Sequence, residues 1–267
     1  MDRKLFETLK RKLIEINGGE FYTDLLIEPS EEQWYQLKNG SGAPDTELRQ
    51  VNSSAGLAVN YWKIYESCHS IMPVEFEWKK YRPLARGRKA NIDVVVREND
   101  EINFFESKFL EPYYEDNEVP RDSYYDVTKY EKITKDSPAS WAAFFKEASG
   151  FRYFNVVQLC RHLLAVCKDI WLFPESYDGK KVHLSSVIWD MTDSFVSHFP
   201  QALADTFRER REVLRSEMID SEAFFNDFIA KHVCIEKLDY KVYTYNDIVT
   251  KLKESPLCKD FANKYFI

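Results

Sequence analysis

No pair of cysteines at metal-clip spacing occurs in this chain of 267 residues. The five cysteines are scattered, at Cys68, Cys160, Cys167, Cys234 and Cys258. The missing Cys-x-x-Cys speaks against a structural zinc site, and the odd count fits a reducing, cytoplasmic setting. Cys160 and Cys167 fall seven residues apart on a predicted helix and read as buried core thiols. No run of about 18 apolar residues exists, so no membrane-spanning helix and no membrane partner are expected. The opening residues Met-Asp-Arg-Lys-Leu-Phe-Glu-Thr hold no apolar stretch of the kind that leads secretion. Positive charge is also short: 37 Lys and Arg face 44 Asp and Glu, for a net charge of −7. That balance excludes a protein that coats nucleic acid, and any polynucleotide partner needs a local basic patch. With no internal repeat, low-complexity tract or obvious linker, residues 1–267 read as one domain.

What is present is apolar and aromatic enough for a sizeable core, at 44% and 15% of the chain. Residues 2–16 carry apolar positions at helical spacing, and Gly18-Gly19 ends that helix. A short helix is expected over Glu31–Leu37, and a longer one from Ser53 or Ser54 to Glu66. Alternation then predicts a strand over Val74–Lys80, and apolar runs predict strands over Ala90–Arg97 and Glu101–Lys108. The last two are joined by Glu98-Asn99-Asp100 as a hairpin. Helices follow at about 123–135, 138–148 and 152–168, then a strand over Val182–Asp190. Two helices, Phe195–Met218 and Ser221–His232, a strand over Lys241–Tyr245 and a helix from Asn246 complete the chain. Two antiparallel strands, a helical crossover and a further strand make an α/β fold. It is a small mixed sheet flanked by helices, with a core at about 45–190 and helical additions at 1–44 and 191–267.

The chemistry lies in the hairpin. Ile92-Asp93-Val94-Val95-Val96 puts a carboxylate inside an apolar strand. Phe104-Phe105-Glu106-Ser107-Lys108 ends the next strand with an acid and an ammonium on one face. Two carboxylates on neighbouring strands suit a hard divalent cation, and the Ser107 carbonyl between them can add a third oxygen. Lys108 then lies where it can stabilise negative charge beside an activated water.

Asp93 and Glu106-Ser107-Lys108, in this order of elements, resemble the PD-(D/E)XK nuclease superfamily, which includes many restriction endonucleases. The proline of the family's motif is replaced here by Ile92. Further pieces are similar to one bacterial branch of these nucleases. They are Val51-Asn52-Ser53-Ser54-Ala55 leading to Asn60, Arg86-Gly87-Arg88, Phe109-Leu110-Glu111-Pro112-Tyr113, and Tyr153-Phe154 with Gln158-Leu159-Cys160-Arg161-His162. The resemblance spans about residues 45–190. It implies a restriction-endonuclease-like core that hydrolyses DNA with Mg²⁺, Mn²⁺ substituting, through a metal-activated water. Asp93, Glu106 and the Ser107 carbonyl would hold the metal, and Lys108 would assist the water. Gln158 would reach the site from the following helix. The resemblance also implies an upstream acid, for which Glu47 ranks ahead of Glu66, with Asn60 between them. Many duplex cutters of the superfamily act as dimers, so a homodimer is an open expectation.

Lys79, Lys80, Arg82, Arg86, Arg88 and Lys89 place six cations within eleven residues just before the Asp93 strand. They and Arg161 are the candidate phosphate contacts. Glu111, three residues past Lys108, is a candidate further carboxylate. His162 reads as a buried structural histidine, and Arg208–Glu212 as a solvent-facing run. Two rival readings remain open. One is a nuclease-fold module without catalysis that binds nucleic acid or a protein. The other is a metal-dependent enzyme acting on another phosphate ester.

Overall fold

Apolar runs along Ile92–Arg97 (β2) and Glu101–Lys108 (β3), buried on both faces, form the hairpin at the centre of the molecule. The structure, a computed structural model, describes residues 3–40, 44–69, 71–79, 90–114 and 120–265. Glu75–Trp78 (β1) adds on one side of the hairpin, and Lys181–Ile188 (β4) and Leu238–Thr244 (β5) on the other. The sheet order is β1-β2-β3-β4-β5. The β1–β2 and β2–β3 pairs are antiparallel, and β3–β4 and β4–β5 are parallel. Each parallel step needs a helical crossover, and residues 109–180 and 189–237 supply them.

The two faces of β3 are covered differently. Phe105 packs on Trp62 at 4.3 Å between ring centroids, and the Ser107 hydroxyl meets Tyr245 Oη at 2.7 Å. That face therefore holds Ser54–Cys68 (α4), which follows Arg3–Ile16 (α1), Glu31–Asn39 (α2) and Asp45–Leu48 (α3). On the other face lies the layer formed by Ala139–Ala148 (α5), Val156–Leu172 (α6) and, after Asp193–Val196 (α7), the long helix Gln201–His232 (α8). Trp141 and Phe144 of α5 pack on Phe228 of α8 at 4.8 and 3.9 Å. Tyr245–Ile248 (α9) and Cys258–Tyr265 (α10) return to α4. There Tyr61 meets Tyr245 and Phe261 at 5.5 and 5.6 Å. One continuous apolar cluster runs from Leu5 to Tyr265.

The sheet and its flanking helices are those the apolar pattern predicts: the fold is α/β and restriction-endonuclease-like. Four expectations need correction. The helices expected over 195–218 and 221–232 are one helix, α8. Ser221 starts no new helix, because its hydroxyl donates to the Met218 carbonyl at 2.7 Å within the same helix. The helix expected at 123–135 consists of 3-10 turns, Asp122–Tyr125 and Val127–Ile133. The helix expected at 152–168 begins later, at Val156, where the Asn155 side chain caps the Gln158 N–H. Arg208–Glu212 is not simply a solvent-facing run. Arg211 is buried and donates to the Met191 carbonyl and to Asp193, both at 2.7 Å.

Candidate active site

The pairing of Val94 with Phe105, carried one residue further, sets Asp93 opposite Glu106 at the end of the hairpin. Opposed residues of an antiparallel pair lie about 4.5–5.5 Å apart. Asp93 Oδ2 accepts the Ser107 N–H at 2.7 Å, so a side chain replaces a backbone partner there. The Ser107 carbonyl accepts the hydroxyl of Ser54, the first residue of α4, at 3.1 Å. Glu106 is 2% exposed. Its Oε1 accepts Lys108 Nζ at 2.8 Å and Gln158 Nε2 at 2.7 Å. Its Oε2 makes no hydrogen bond and lies 3.3 Å from His162 Nδ1. Gln158 and His162 are one helical turn apart on α6, so one face of that helix serves Glu106. Glu217 of α8 accepts the N–H groups of Arg152, Tyr153 and Phe154 at 2.6–2.9 Å. That carboxylate fixes the loop leading into α6, and so the height at which Gln158 meets the strand.

A pocket of about 300 Å³ opens in front of these strand ends. Glu47, Glu77, Asp93, Ser107, Lys108 and Glu111 are in its wall, and Glu106 lies behind it. The four wall carboxylates face one ammonium. Burial raises the Asp93 pKa well above the usual carboxylate range. Glu106 and Glu77 add to the rise, while Lys108 and the Ser107 N–H oppose it. For Lys108, burial lowers the pKa, but Glu106, Glu111 and Asp93 together outweigh it, and the net shift is upward. Lys108 is therefore a fixed positive charge here, not a neutral base.

Two glycines set the walls. A Cβ on Gly40, at the end of α2, would lie 2.1 Å from Glu77 Cβ. Glu77 itself has φ of +54° within β1, and its carboxylate accepts a hydrogen bond from the Asn91 amide. A Cβ on Gly56 would lie 2.2 Å from the Leu48 carbonyl oxygen. The bare Gly56 backbone lets α3 close on α4, and α3 is what brings Glu47 to the pocket.

The sequence-derived residues divide as follows. Asp93, Ser107, Lys108 and Glu47 line the pocket, and Glu106 and Gln158 join directly behind it. Glu66 is elsewhere, held by Lys63 at 2.5 Å and Gln33 at 3.2 Å. Asn60 is structural: it accepts the Leu26 N–H at 2.6 Å and donates to Tyr265 Oη at 2.7 Å. Lys79 is exposed, with its ammonium 2.6 Å from the Gly40 carbonyl. Lys80, Arg82, Arg86, Arg88 and Lys89 lie outside the described residues. Arg161 is half-buried on α6, beside His162. Sequence reasoning missed Glu77; His162 is buried as expected, at 1% exposed, but the sequence did not set its ring beside Glu106. Only the i,i+4 spacing from Gln158 offered a signal for His162, and nothing local marks Glu77.

Among the described residues, no three His, Cys, Asp or Glu side chains are gathered as a ready metal cluster. No helix among them is long and apolar enough to cross a membrane. No curated protein and no solved structure matches the chain. One family model does, over residues 31–266, described as restriction endonuclease associating with ARP. That span takes in β1 to β5, Glu47 and every residue that meets Glu106, and with it the chain belongs to this restriction-endonuclease family.

Proposed function

We propose that this protein is a divalent-metal-dependent nuclease of PD-(D/E)XK type that hydrolyses DNA, built as a single domain over residues 1–267. Family membership points to a nuclease-like function. The observation that carries the finer reading is the meeting of Asp93, Glu106 and Lys108 at the ends of β2 and β3, with Gln158 donating to Glu106 from α6.

The residues fit a hard cation. Among the described residues, the wall beside Asp93 offers carboxylate, hydroxyl and amide oxygens, its four acids outnumber one ammonium, and burial and neighbouring acids raise the Asp93 pKa. Asp93, Glu106 and the Ser107 carbonyl would hold Mg²⁺, with Mn²⁺ as substitute. Two carboxylates and a carbonyl suffice because Mg²⁺ keeps several waters, so a preformed triad of acids is not needed. When bound, the ion neutralises a phosphate oxygen and lowers the pKa of a water.

The chain's own groups do the rest. The Ser107 N–H orients Asp93, and Gln158 fixes Glu106. Lys108, charged and half-buried, stabilises negative charge that develops on the phosphate. Glu47 borders the same space as the upstream acid. Lys79, the basic stretch that follows it, and Arg161 would contact DNA phosphates.

A module that binds DNA without cutting is the second reading. The Lys108–Glu106 ion pair favours it, because the ammonium is already satisfied internally. Incubation of supercoiled and linear DNA with Mg²⁺ or Mn²⁺ separates the two. Nicking by the wild type and none by Lys108→Ala supports the nuclease. No nicking by the wild type under either metal leaves the binding module.

A further inference from the structure

Helix α1 lies outside the matched family span, yet it forms part of the pocket. Its apolar stripe Leu5, Leu9 and Leu13 is buried in the core. Phe6, beside that stripe, lines the pocket and meets Tyr114 edge-on at 4.8 Å. The rest of the helix is basic: Arg3, Lys4, Lys10, Arg11 and Lys12 against Glu7 and Glu15. That is a net +3 on one helix of a chain whose total is −7. Lys12 is committed to Glu15 at 2.7 Å. Arg3, Lys4 and Arg11 are exposed and pair with no acid among the described residues. Lys10, one turn beyond Phe6, lies 4.5 Å over the Phe21 ring. Helical spacing puts Arg3 and Lys10 on the Phe6 side of the helix, with Lys4 and Arg11 on the outer surface.

We infer that α1 is a DNA-contacting helix, whose cations hold the phosphate backbone of the strand that enters the pocket. Charge complementarity selects the occupant, since a polyanion meets a concentrated positive surface beside acids that cannot bind phosphate themselves. A membrane surface is the other natural partner of a basic amphipathic helix. It is disfavoured because the leucine stripe it would need is already buried. The inference rests on the DNA substrate proposed above, but it concerns binding and not cleavage.

The test uses the full chain in EDTA, so that no cutting occurs, with labelled duplex DNA followed by fluorescence anisotropy. Arg3→Gln/Lys4→Gln/Arg11→Gln changes only exposed side chains, and circular dichroism checks that the fold is kept. A charge-matched control replaces three exposed cations of α5, α8 and α10, Lys146→Gln/Lys231→Gln/Lys259→Gln. The triple variant should bind about tenfold more weakly near 0.1 M salt, with a salt slope shallower by about two to three, as three lost phosphate contacts require. The control should bind like wild type.

Four results overturn the inference: equal affinity of triple variant and wild type, equal loss in the control, no DNA binding by wild type, or binding of anionic lipid vesicles in place of DNA. A wild type that cuts DNA while the triple variant binds it normally removes the role of α1 and leaves the nuclease. A wild type that binds through α1 and never cuts removes the nuclease and leaves the role of α1.

Discussion

Lys108 Nζ lies 2.8 Å from Glu106 Oε1, and the two residues are two positions apart on β3. Both are largely shielded from water, with side chains 18% and 2% exposed. Removing one member of such a pair strands the other, which costs more than the pair itself gains. Lys108→Met should therefore lower the unfolding free energy by about 3 kcal/mol, and adding Glu106→Gln should restore most of it. Urea unfolding of both single variants and the double variant checks this. Simple addition of the two losses would contradict the coupling.

Ionisation of Asp93 is costly, because burial and the charges of Glu106 and Glu77 all act against its carboxylate. Asp93→Asn keeps an oxygen for the Ser107 N–H and removes that charge. The metal-free variant should be more stable than wild type, by about 1 kcal/mol, while losing function. Thermal unfolding in EDTA tests the sign. A clear drop in melting temperature would show that the Asp93 charge is favourable in the empty site.

Glu77 depends on Gly40. A methyl group on Gly40 would collide with Glu77 Cβ, which β1 already holds at a left-handed φ. Gly40→Ala should cost about 1–3 kcal/mol by overpacking and should free the Asn91 amide from Glu77. Chemical-shift changes confined to the neighbourhood of Asn91 and Asp93, together with the stability loss, are the expected signature. An unperturbed spectrum would mean that the end of α2 yields without cost.

Lys264 sets a pH dependence away from the site. Burial lowers its pKa to about 8, with Arg49 assisting and Asp24 opposing. Its ammonium donates to the Asp24 carbonyl at 2.7 Å. In the unfolded chain the pKa returns to 10.5. Below pH 8 the group is charged in both states, and the cost of burying it is fully present. Between about pH 8 and 10.5 the unfolded state binds more protons, so stability rises with pH. Lys264→Met should be more stable than wild type at pH 7, and the gap should close by about pH 10. A gap that widens with pH would reverse the sign.

Legibility followed the local signal. Strands β2 and β3 and their catalytic-type residues could be read because each is a short apolar run interrupted by charge, a local property of the strand. The apolar face of α6 marked the helix, while Gln158 itself came only from the resemblance to the nuclease superfamily. The unity of α8 was hidden because Ser221 resembles a cap in sequence, and only its bond back to Met218 shows otherwise. The segment around Tyr124 and Tyr130 looked helical, but both rings are buried by irregular 3-10 turns packed against α5 and α6. Glu77 could not be read at all. Its burial depends on Gly40, 37 positions earlier, and on a backbone angle that no pattern encodes. The role of His162 beside Glu106 required knowing which face of α6 meets β3.

The account centres on a cation held between Asp93 and Glu106. Calorimetric titration of metal-free protein with Mn²⁺, wild type beside Asp93→Asn, tests it most directly. The account predicts one saturable site in wild type, at about millimolar affinity or tighter, and its loss in the variant. Equal binding by both proteins, or none by wild type, would contradict it.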